Sequence, residues 1–221
     1  MRYMKALNKI RTPHKGASIC KKVTFSLLCA LLGFGLGIFS KFLDCTPSNS
    51  MPAIIDNLDI SNFFGRIAIW AFIAMVISVF SKTPIRAAIN APCFFAGMLI
   101  GYCLYSYFAA GFMLDHSYLM IWITFTIISP ILAVLCWYAK GIGIASTIIS
   151  ALIIAYFILQ AFSFAGDFSY FQINYWGLEI ILLLASIAVL YKKPKQTIIS
   201  VIAGIFISYF IVLLPFSIPF I

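Results

Sequence analysis

Seven continuous apolar stretches separated by short polar turns constrain this chain more than any other feature. They run over about 23–40, 63–80, 87–110, 118–138, 142–164, 176–191 and 197–217. At about 1.5 Å per helical residue, stretches of roughly 16 to 24 residues cover about 24 to 36 Å, the thickness of a hydrocarbon core allowing for tilt. None alternates polar with apolar residues, so helices are expected rather than barrel strands. Apolar residues are 63% of the chain and charged residues 10%, too few charges to cover a water-soluble fold of 221 residues. The expected fold is therefore an all-α integral membrane bundle of about seven transmembrane helices.

Charge placement gives the expected orientation. With a cytoplasmic N-terminus, the inner segments hold seven Lys/Arg in residues 1–22, then Lys82, Arg86, Lys140, Lys192, Lys193 and Lys195. Only Lys41 and Arg66 fall outside. All six acids (Asp44, Asp56, Asp59, Asp115, Asp167 and Glu179) sort to outer loops or outer span ends. An odd number of crossings then puts the C-terminus outside. Trp137, Tyr138 and Tyr191 fall at inner ends and Tyr102, Tyr105, Tyr107, Tyr118 and Trp176 at outer ends, where amphipathic rings prefer to sit.

The organisation expected is a basic cytoplasmic segment, 1–22, followed by one transmembrane helical domain, 23–221. Met1, Met4, Leu7 and Ile10 recur at helical spacing between lysines, which suits a short amphipathic helix on an anionic leaflet, ended by Pro13 and Gly16. No small-x-small cleavage site follows the first apolar run, so a retained span is expected there. The net charge of +9 is confined to turns and the tail, which points to anionic lipid and not to nucleic acid. Four of the six cysteines (Cys29, Cys93, Cys103 and Cys136) lie inside apolar runs and read as small hydrophobes; neither a disulfide framework nor a metal site is implied.

Catalytic signatures are missing. There is no H-E-x-x-H, G-x-S-x-G or Walker A sequence, and the two histidines, His14 and His116, lie in the tail and an outer loop. No span carries a mid-depth carboxylate, which disfavours the usual proton-coupled carrier. No cofactor is expected. What remains is a polar set in the outer half of the bundle: Arg66, Tyr102, Tyr105, Gln160 and Glu179, with Asn174 at similar depth. These residues can line a small outward-facing ligand pocket. The plainer reading has Arg66 and Glu179 reaching for headgroups or forming a structural pair, with the tyrosines in the aromatic belt.

Three further features concern packing. Gly33/Gly37 and Gly97/Gly101 form G-x-x-x-G spacings in the first and third spans, which suit close helix approach. Pro92 and Pro130 lie inside spans and are expected to kink them. In the long outer loop 41–62, Ser50 can cap a short helix with Pro52 in its first turn and Ile54, Ile55 and Leu58 on one face. The inner turns SKTPIRAA and KKPKQTII share Lys-x-Pro (Lys82/Pro84 and Lys192/Pro194), a hint of an internal repeat.

The stretch SKTPIRAAINAPCFFAGMLIGYCLYSYFAAG, with MIWITFTIISP and CWYAKG, resembles an uncharacterised family of small bacterial multi-pass membrane proteins of Gram-positive type, with no assigned activity. In size and span number the chain is also similar to the substrate-binding membrane subunits of energy-coupling-factor vitamin transporters, although glycines replace their Ala-x-x-x-Ala face in the first span. The resemblance implies a multi-pass protein of the cytoplasmic membrane. Three function classes remain. The first is small-molecule transport, or a substrate-binding transport subunit. The second is a non-catalytic accessory protein that binds a partner membrane protein. The third, and least supported, is an intramembrane enzyme.

Overall fold

The computed structural model describes residues 9–14, 18–47, 50–112, 114–165, 170–174 and 177–214. Expectations for the tail helix through Met1, Met4 and Leu7, for Gly16, and for Asp167 and Trp176 lie outside the described residues. Each of the seven apolar stretches forms a helix. These are α1 (Ile19–Cys45), α4 (Ile67–Phe80), α5 (Pro84–Phe108), α6 (His116–Ala139), α7 (Ile144–Ala161), α8 (Leu178–Leu190) and α9 (Pro194–Leu213). Two short helices, α2 (Ala53–Asn57) and α3 (Ile60–Gly65), occupy the long loop.

Five of these helices, α1, α5, α6, α7 and α9, are long and apolar enough to cross a membrane. The chain is a membrane-embedded, multi-pass helical protein on that evidence. The two remaining apolar helices are shorter than the sequence suggests. At about 1.5 Å per residue, the 14 residues of α4 and 13 of α8 reach roughly 20 Å. The cause is local in each case. Arg66 adopts an extended backbone (φ −87°, ψ 152°) that separates α3 from α4, so it sits in a break and not inside a span. The α7 helix stops at Ala161, and Phe162–Phe164 (β1) pairs antiparallel with Phe171–Ile173 (β2) in a small hairpin that precedes α8. A β-branch-poor aromatic run of this kind satisfies its backbone across the hairpin once the helix has ended.

The loop helix α2 forms as expected, but Ser50 does not cap it. Its hydroxyl donates to the Pro47 carbonyl at 2.7 Å, and Pro52 occupies the N-cap. The helices α5 and α6 run on through Pro92 and Pro130.

Packing divides the chain into two compact units: residues 13–66 with 73–137, and residues 1–12, 67–72 and 138–221. In the first unit, α1 and α5 lie against each other along both G-x-x-x-G stripes. A Cβ at Gly33 or Gly37 would strike the backbone at Phe94 or Met98, and one at Gly97 or Gly101 would strike the carbonyl of Ala30 or Phe34. The partners rise together in number along the two helices, so α1 and α5 are parallel. Absent side chains are what let the two backbones meet.

The second unit repeats this arrangement with less intimacy. The Ser200 hydroxyl donates to the Thr147 carbonyl at 3.3 Å, and Gly204 lies against Ala151 and Ile154, so α7 and α9 are also parallel. The turn into α7 requires Gly143, whose φ of 92° with ψ of −179° is a region that side chains avoid. In both units Pro starts the final parallel helix: Pro84 in α5 and Pro194 in α9, each two residues after the Lys of a shared Lys-x-Pro.

Candidate functional site

Two polar knots close the ends of the α1–α5 pair. At one end the Arg86 guanidinium donates to the Lys22 carbonyl, to the Ser26 hydroxyl and to Asn90 Oδ1. Ser26 Oγ donates to Asn90 Oδ1 at 2.7 Å, Asn90 Nδ2 donates to Ser81 Oγ at 3.0 Å, and Ser81 Oγ donates to the Ile77 carbonyl at 2.8 Å. Trp137 Nε1 donates to the Ser81 carbonyl at 2.8 Å, and this indole is wholly buried. Every polar group in the knot has a consistent donor and acceptor role, the condition for burying such groups in a low-dielectric interior.

At the other end, α1 runs one turn beyond its expected limit and carries Lys41 and Asp44 onto the face that meets α5. Lys41 is only 7% exposed. Its ammonium donates to Tyr102 Oη at 3.4 Å, and it lies 4.9 and 4.8 Å from the ring centres of Tyr102 and Phe112. Tyr102 Oη in turn donates to Asp44 Oδ2 at 2.6 Å, with Lys41 and Asp44 3.9 Å apart. Tyr118 packs 5.8 Å from Tyr102, ring to ring. The phenol thus bridges a cation and an anion, and two ring faces complete the cation's surroundings.

The five residues expected to form a pocket are distributed as follows. Tyr102 belongs to this Lys41–Asp44 knot. Tyr105, one turn on, faces Phe42 edge-on at 6.4 Å, so the pair contacts successive positions of α1. Arg66 pairs with Asp59 at 3.5 Å and lies over the Phe63 ring. Asp59 itself holds a left-handed φ of 53° at the start of α3, and its carboxylate also accepts from Asn62 Nδ2 at 2.6 Å. In the second unit, Gln160 is the next-to-last residue of α7, and its carbonyl accepts from Asn174 Nδ2 at 3.0 Å. Asn174 also donates its backbone N–H to the Ala161 carbonyl and accepts from Ser163 Oγ, which fastens the hairpin to the end of α7. Glu179 is 1% exposed in the first turn of α8, where a carboxylate suits the helix dipole. Tyr102, Tyr105 and Arg66 are thus engaged in packing or pairing, and the Gln160 main chain anchors the hairpin.

A cavity of about 290 Å³ sits within the second unit, walled by Ile158 of α7, Phe162 and Phe171 of the hairpin, Leu183 of α8 and Ile205 and Ser208 of α9. Its lining is almost entirely apolar. No family model matches the chain, and no curated protein or solved structure matches it. The cavity could not be placed from sequence because its walls use the same Ile, Leu and Phe residues that face lipid elsewhere.

Among the described residues no three or more His, Cys, Asp or Glu side chains converge as a metal site.

Proposed function

We propose that the protein is a seven-crossing protein of the cytoplasmic membrane, N-terminus inside, that binds a small apolar molecule within α7–α9 as a transporter or as the substrate-binding subunit of one. The parallel helix pairs support the crossing number. For α5 to lie parallel to α1, the chain must return in between. It does so from Phe64, whose carbonyl accepts from Ser40 Oγ, to Ser81, which meets Asn90. That return is α4. The same reasoning makes α8 the return between parallel α7 and α9. Two helices of about 20 Å then cross by drawing on their flanking residues and on local thinning of the bilayer.

Single cysteines placed at Lys82, Lys140 and Lys192 should be labelled by a membrane-impermeant maleimide only after the cells are opened. One at Asp115 should be labelled in intact cells. Labelling of Lys140 or Lys192 positions from outside would overturn the orientation.

The cavity carries the binding reading. Its volume sits at the small end of ligand pockets, and an apolar lining selects an apolar occupant. The fluorescent probe N-phenyl-1-naphthylamine should bind purified protein in nanodiscs above the background of empty discs. Ile205→Trp, which fills the space, should weaken that binding about tenfold or more while leaving the unfolding temperature nearly unchanged. Binding that ignores Ile205→Trp would favour the accessory role, in which helix faces dock a partner membrane protein.

A further inference from the structure

Three separate segments of the second unit are stitched together at the end where α7 and α9 begin, and each brings a cation. The tail is joined to the α6–α7 turn by the Ile142 N–H, which donates to the Ile10 carbonyl at 2.8 Å. The start of α9 is joined to the same turn by Gln196, whose amide donates to the Gly141 carbonyl at 3.3 Å and to Ser146 Oγ at 3.2 Å. Ser146 Oγ and Ser150 Oγ both donate to the Ala139 carbonyl, at 2.6 and 2.9 Å, so the turn is held from behind. Arg11, Lys140 and Lys192 project from these three segments.

Their charges interact. Burial and the charge of Arg11 hold the Lys140 ammonium below its ordinary value, and burial with the charges of Arg11 and Lys140 pushes Lys192 down to about 8. The segments 9–14, 138–150 and 190–200 carry no Asp or Glu of their own. Two helices, α7 and α9, begin at this point, and both direct the positive ends of their dipoles toward it. Beside Lys192 lies a cavity of about 10 Å³ lined by Ser150, Gln196, Thr197 and Ser200, room for about one water or one oxygen atom. Like charge gathered in this way raises the local positive potential and attracts an anion.

We infer that Arg11, Lys140, Lys192 and the start of α9 form a binding site for a phosphate group, carried either by an anionic phospholipid or by a soluble phosphate compound. A phosphate offers acceptor oxygens to all three cations at once and neutralises a site whose cations repel one another. The site belongs to the bundle itself and is distinct from diffuse attraction of the tail to a charged leaflet. In the proposed orientation it faces the cytoplasmic leaflet, at headgroup depth.

The test uses full-length protein in nanodiscs of phosphatidylcholine with increasing phosphatidylglycerol, reading retained lipid by native mass spectrometry. Lys140→Gln/Lys192→Gln should weaken phosphatidylglycerol retention about tenfold or more, since two basic residues leave the anionic contact. Lys21→Gln/Lys22→Gln, which removes the same charge from α1, should change it little. Lys140→Arg/Lys192→Arg should retain the lipid. A second measurement needs no variant: phosphatidylglycerol should protect Lys140 and Lys192 from acetylation in the wild-type protein more than it protects Lys21 and Lys22. If inorganic phosphate in neutral detergent gives that protection and phosphatidylglycerol does not, the site stands and its ligand is soluble. Equal losses in the two glutamine variants, or no protection by either anion, would overturn it.

Discussion

Gly97→Leu should be the most damaging single substitution in the protein. The first atom it adds lands on the Ala30 carbonyl, where no side chain can rotate away, so α1 and α5 must separate. Overpacking of an ordinary core costs about 1–3 kcal/mol because neighbouring side chains give way. Here the obstacle is backbone on a facing helix, and about 3 kcal/mol or more is expected, enough to abolish folding of a marginally stable protein. Gly33→Leu should behave alike, since its Cβ meets the Phe94 carbonyl. Gly35, two residues away on α1, has open space around its Cβ position. Gly35→Ala should therefore be neutral or stabilising by up to about 1 kcal/mol, as helix propensity alone dictates. Unfolding in mixed detergent micelles, followed by tryptophan fluorescence, checks all three. Equal stability of Gly97→Leu and Gly35→Ala would mean that the two stripes do not face each other.

Most of the helical architecture was legible because lipid imposes one strong rule, and apolar length reports it directly. The rule marks where a helix must be, but it is silent on where a helix stops short. Arg66 read as a residue inside a span because Phe63 and Phe64 begin the apolar run before it, while the backbone in fact breaks there and pairs the guanidinium with Asp59. Phe162–Phe164 read as helix for the same reason, since two phenylalanines flanking one serine extend the apolar run in either conformation. The site was less legible still. Tyr102 was found as a polar residue at the right depth, but Lys41 and Asp44 were assigned to a loop, which hid their part in the knot. A signal was present: Gly33, Gly37 and Lys41 share one four-residue spacing on α1, as Asn90, Phe94, Met98 and Tyr102 do on α5. Extending each packing stripe by one turn would have brought the polar ends together. The apolar cavity had no such signal, because size and shape of empty space depend on three helices and a hairpin at once.

Asn90→Leu should be the second most damaging change, and its cost follows from which partners water can reach. Asn90 is 1% exposed and accepts from Ser26 and Arg86 while donating to Ser81. Leucine fills nearly the same volume, so packing is conserved and only the polar groups suffer. Orphaning a buried partner costs about 1–3 kcal/mol. Yet hydrogen bonds between membrane helices average only about 0.6 kcal/mol, because the separated helices find other partners. The two figures apply to different groups here. Arg86 keeps the Lys22 carbonyl and Ser26, so it loses little. Ser81 keeps its bond to Ile77 and loses an incoming donor in a buried position. A total of about 2 kcal/mol is therefore expected, most of it from Ser26 and Ser81. Asn90→Asp separates the contributions: a carboxylate strengthens the acceptor for Arg86 and Ser26 but offers nothing to Ser81, and ionised it faces that hydroxyl's lone pairs. It should fall between wild type and Asn90→Leu at neutral pH. A double-mutant cycle between Ser26→Ala and Asn90→Ala should return a coupling of about 0.5–1.5 kcal/mol, and strict additivity would show that the α1–α5 pair is not joined through this bond.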